Sequence, residues 1–93
     1  MRLIENHDST GEKPLFLMVA FDAPHHPTTI PGAYNDTMEY AEATKGATTL
    51  ERKLFAANMR IVDNAVANIM RALDKKDMSK DAYVVVTSDN GAV

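Results

Sequence analysis

The sequence predicts an α/β fold, a βαβ segment whose two parallel strands are joined through one long helix. Two observations carry this expectation. Residues 15–21 and 83–88 are apolar or β-branched runs of the kind buried on both faces of a parallel sheet. Between them, apolar residues recur at helical spacing over about seven turns.

The first expected strand follows a polar turn at 8–13, with Pro14 suited to its opening position. Beyond Phe21, three prolines (Pro24, Pro27 and Pro31) exclude both helix and central strand. They predict a stiff, extended loop at the strand's carboxyl end. Residues 33–47 give weak signals and read as loop with short helical turns. Asn35-Asp36-Thr37 matches the N-glycosylation acceptor triplet, a pattern that also arises by chance. In the helix, expected near 49–75, Leu50, Leu54, Ile61, Ala65, Ile69 and Leu73 form one stripe, widened by Val62 and Val66. Thr48 and Glu51 read as its capping box, and Lys75 and Lys76 suit its negative pole. The second strand, around Val84, Val85, Val86 and Thr87, completes a right-handed crossover. One helix cannot cover both faces of a parallel pair, so the unit calls for more protein around it.

Composition narrows the function classes. The 93 residues contain no cysteine, which excludes disulfides and zinc–thiolate sites. A chain this short buries only about 60% of its unfolded surface. The net charge is −3, and Lys45, Arg52, Lys53 and Arg60 are spread among Glu39, Glu42, Glu51 and Asp63. Without a basic stripe, no nucleic-acid partner is expected. No apolar run approaches the length of a membrane span, and residues 1–8 do not resemble a signal peptide.

Two polar clusters follow the expected strands, His25-His26 and Asp89-Asn90-Gly91. Parallel strands would bring both to one sheet edge, where open α/β sheets bind ligands. Asp89 and Asn90 are hard oxygen donors suited to calcium or magnesium, and Gly91 permits a tight turn beside them. Asp-Asn-Gly is equally a common turn sequence. His25 is able to donate to an anionic ester oxygen or to pass a proton to a leaving group, although loop histidines are commonly surface residues. No glycine-rich phosphate loop, G-x-S-x-G elbow or H-E-x-x-H helix is present. Ser88 has no base identifiable in sequence, which argues against a serine nucleophile.

At these residues the chain resembles the sulfatase family, especially its arylsulfatase B-like branch. Lys13-Pro14-Leu15-Phe16-Leu17, then Ala20-Phe21-Asp22-Ala23-Pro24-His25-His26-Pro27, resembles the family's strand and His-x-Pro loop. Residues 59–66 resemble its helix, which usually carries Met-Asp-Glu at the positions of Val62, Asp63 and Asn64. Residues 84–91 resemble the strand that ends in its metal-binding Asp-Asn-Gly. The resemblance implies a mixed, mostly parallel sheet flanked by helices, the alkaline-phosphatase type, with residues 1–93 forming a partial catalytic domain. It assigns Asp89 and Asn90 to Ca2+ and His25 to the sulfate ester, with Asp63 a structural residue. It implies a lysosomal or secreted enzyme acting on sulfate esters, including sulfated glycans.

The family's formylglycine nucleophile arises from Cys/Ser-x-Pro-x-Arg, which this sequence lacks, as it lacks the paired aspartates of the other calcium ligands. The family's lysine after Asp-Asn-Gly would fall beyond Val93. Residues 38–52 depart from the family in length. The expectation is therefore a sulfatase segment, inactive alone and completed by the rest of its domain. The alternatives are a non-catalytic remnant binding metal or glycan, and a phosphodiesterase or phosphatase of the same superfamily.

Overall fold

The long amphipathic segment folds as its periodicity dictates, into the helix that organises the whole chain. The structure, a computed structural model, describes residues 2–91. It contains α1 (Arg2–Glu5), a 3-10 turn (Tyr34–Asp36), α2 (Met38–Ala43), α3 (Leu50–Lys75) and a second 3-10 turn (Ser79–Asp81). Helix α3 begins one residue later than the capping box predicts. The cap is Thr49 and not Thr48: Thr49 is extended, and its hydroxyl accepts from the amide of Arg52 at 3.3 Å. At the other end Asp77 adopts φ 57, and its amide bonds the Asp74 carbonyl while that of Met78 reaches Leu73. This is the reversal that commonly ends helices, here with aspartate at the left-handed position.

The βαβ expectation is overturned. Among the described residues the chain is 47% helical and has no strand. A strand requires a neighbour to take up its amides and carbonyls, and the two apolar runs do not pair. Residues 15–18 still alternate in face. Leu15 and Leu17 are half-buried against the helical core, whereas Phe16 and Met18 are 91% and 79% exposed. Tyr83, Val84, Val85 and Val86 are all exposed. Among the described residues the mixed parallel sheet, its right-handed crossover and its shared ligand edge are therefore absent.

The core lies where α1 meets the carboxyl half of α3. Ile4, Ala72 and Leu73 form its centre, with Leu15, Leu17, Ile69, Met70 and Met78 packed around it. Ile4 is wholly buried, which holds the short α1 in place. Helix α2 packs farther back along α3. Thr37 caps α2 by accepting from Tyr40 at 3.1 Å while donating to the Tyr34 carbonyl at 2.7 Å.

Candidate functional site

The proline-rich loop is pinned to α3 by one buried amide. Asn58 is 6% exposed, and its Nδ2 donates to the Thr29 carbonyl at 3.0 Å and to the Leu54 carbonyl at 2.9 Å. Upstream, the His25 amide closes a turn onto the Asp22 carbonyl at 3.0 Å, and the Ala23–Pro24 and His26–Pro27 bonds are cis. His25 is exposed, and its Nδ1 lies 2.6 Å from the His26 carbonyl. A carbonyl only accepts, so Nδ1 carries the hydrogen. Nε2 is then left to accept when the ring is neutral and to donate when it is charged. His26 differs, its Nδ1 lying 3.3 Å from the Thr28 hydroxyl.

Asp89 and Asn90 sit in an exposed turn. The Asn90 amide donates to Asp89 Oδ1 at 2.9 Å, and the Gly91 amide to Ser88 Oγ at 3.0 Å. Gly91 has φ 83, a left-handed conformation open to glycine and consistent with the tight turn expected there. The Ser88 hydroxyl is engaged in closing this turn. Among the described residues no hydrogen bond or ion pair joins the Asp89 turn to the His25 loop. No group of three or more His, Cys, Asp or Glu side chains converges as a metal cage there either. Asp89 and Asn90 offer two exposed hard oxygens, which suits part of a calcium shell and falls short of the six to eight ligands that the ion prefers. Asp63 is exposed on α3.

A second polar cluster joins α2 to α3. Glu39 Oε1 accepts from Arg60 Nε at 3.2 Å and from Asn64 Nδ2. These bonds, that from Asn64 foremost, hold the Glu39 carboxyl below its ordinary pKa. Tyr34 Oη is buried without a geometrically formed hydrogen bond, and its ring meets Tyr40 edge-on at 6.1 Å between centroids. Burial first, then the charge of Glu39, raises the Tyr34 phenol.

The sulfatase family model matches residues 2–93. The chain belongs to the sulfatase family. It is 32% identical to Arylsulfatase J of Mus musculus over 90 residues, which is 97% of this chain and 14% of that protein. No solved structure matches significantly. Among the described residues of this sulfatase segment, no helix is long and apolar enough to cross a membrane.

Two features of the sulfatase segment escape sequence reasoning. Asn58 falls in the register of the stripe, four residues after Leu54 and three before Ile61, but a pattern built on apolar residues passes over an amide. Glu39, Arg60 and Asn64 look like ordinary surface residues until α2 folds back. The signal available for Asn58 was its place near the apolar stripe, where an amide calls for a partner.

Proposed function

We propose that residues 1–93 are a segment of a sulfatase catalytic domain whose whole protein hydrolyses sulfate esters, sulfated glycans among them. The observation carrying this reading is the family match across residues 2–93, which includes the His25-His26-Pro27 loop and the Asp89-Asn90-Gly91 turn. The chain spans 14% of the length of Arylsulfatase J, so it is one part of such an enzyme in this reading. The compartment that goes with it is lysosomal or secreted.

In this reading His25 faces the sulfate ester, presenting Nε2 because Nδ1 is committed to the His26 carbonyl. Its protonated form donates to the sulfate or leaving oxygen, and its neutral form accepts the proton back. Asp89 and Asn90 would hold Ca2+, their exposed oxygens being the right donor type for that ion. Calcium, when bound, would supply positive charge beside the sulfate oxygens. The formylglycine nucleophile belongs to a Cys/Ser-x-Pro-x-Arg motif, and no such motif occurs here. The isolated 93 residues are accordingly expected to turn over no aryl sulfate. Their calcium affinity should be weak, because two side chains leave most of the coordination shell to water.

The test uses the full-length enzyme that contains this segment. Asp89→Ala should abolish activity, since the cation loses its anionic ligand here. His25→Ala should lower kcat roughly a hundredfold with the fold intact. His26→Ala should change little. An essential His26 beside a dispensable His25 would refute the assignment.

A further inference from the structure

We infer that Asn58 is a positioning residue that fixes the His25 loop on α3. The role it gives to His25 rests on the sulfatase reading above. Asn58 is a nearly buried polar residue in the middle of a helix. Its backbone needs no help, because mid-helix amides already bond the carbonyls four residues back. The side chain has two amide hydrogens and two carbonyl partners, Leu54 on its own helix and Thr29 on the loop, 29 residues away in sequence.

The other hydrogen bonds of the loop are local. The His25 amide bonds Asp22, the His25 ring bonds the His26 carbonyl, the Thr28 hydroxyl meets the His26 ring, and the Tyr34 amide bonds Pro31. These bonds shape the loop without saying where it lies on the protein. Among the described residues, the bond from Asn58 to Thr29 is the one that ties loop 22–31 to a distant element. Pro24, Pro27 and Pro31 restrict the backbone on both sides of Thr29. A position imposed at Thr29 is therefore passed along a stiff path to His25, four residues away. An apolar residue at 58 would pack against the same helix yet leave the Thr29 carbonyl without its donor.

The test is Asn58→Leu in the full-length enzyme, alone and together with His25→Ala. Hydrogen exchange of the peptide covering residues 22–31 is followed in parallel. Alone, the substitution should lower kcat roughly tenfold to a hundredfold, with KM changing less than about twofold, because the reacting group is displaced rather than removed. In the His25→Ala background it should cause no further loss, and exchange in 22–31 should rise. Equal losses with and without His25 would mean that Asn58 serves the fold only, and would overturn the inference. So would unchanged kcat and exchange in an enzyme that His25→Ala inactivates. A parent with no sulfatase activity would sink the sulfatase reading instead. Exchange then decides the anchor, raised exchange upholding it and unchanged exchange overturning it. Should Asn58→Leu not fold, Asn58→Asp, similar in shape and without a hydrogen to donate when ionised, should give the same losses.

Discussion

Glu39 shows how one carboxylate links acidity to the docking of a helix. Its partners Asn64 and Arg60 hold its proton affinity below that of an unfolded glutamate. The unfolded chain therefore takes up the proton first as pH falls. The stabilisation is complete above the ordinary glutamate range and is lost as pH drops through the lowered folded value. Asp8 acts in the same sense, its carboxyl lowered chiefly by the Thr10 hydroxyl at 2.7 Å. Glu39→Gln keeps an acceptor oxygen and loses the titration. Thermal unfolding followed against pH should be flatter in acid for the variant than for the parent, with a residual slope from Asp8 and from Glu5, whose carboxyl is also lowered. Identical slopes would show that the α2 clasp does not titrate. The Glu39 contacts were not legible in the sequence, because its partners lie 21 and 25 residues away.

Helix α3 is the element that sequence reasoning described best. The expected range 49–75 became Leu50–Lys75, and Leu54, Ile61, Ala65, Ile69 and Leu73 are buried or half-buried. The stripe is overdrawn at its start, where Leu50 is 65% exposed because no element covers that turn. The end of the helix offers a clean measurement. Asp77 pairs with Lys80 at 2.8 Å, a contact between exposed groups that is worth less than about 1 kcal/mol. Asp77→Ala and Asp77→Gly both remove that pair, but only alanine keeps a Cβ in the left-handed conformation. The glycine variant should be the more stable of the two by about 1 kcal/mol in denaturant unfolding. Equal stability would mean that the turn relaxes to another conformation.

At the scale of the molecule, the described residues are elongated, with a radius of gyration of 16.2 Å and extents of 51 × 29 × 20 Å. A compact domain of this length would have a radius of gyration near ~12 Å. The core around Ile4, Ala72 and Leu73 is correspondingly thin, and large apolar side chains remain outside it. Ile4→Ala should cost about 2–5 kcal/mol, enough to remove the cooperative unfolding transition of the isolated chain. Phe16→Ser should stay within about 0.5 kcal/mol, since Phe16 is 91% exposed. A reversed order in denaturant melts would place the core on the other face of residues 15–18.

Sequence alone determined what is local. Helix α3 could be read because its hydrogen bonds link residues four apart and its stripe repeats within a few turns, although its cap is Thr49 and not the expected Thr48. The loop at 22–31 could be read because each proline restricts its own backbone and that of its neighbour. The family could be read because its motifs are short contiguous strings, and the match over residues 2–93 bears that out. Tertiary structure decided what needs a second segment. Residues 15–21 and 83–88 have strand-like composition, but a strand exists only when another backbone takes its hydrogen bonds, and these two exchange none. The bond from Asn58 to Thr29 and the clasp of Glu39 on α3 depend in the same way on the return path of the chain. That path is set by packing between residues far apart in sequence, which no local pattern encodes.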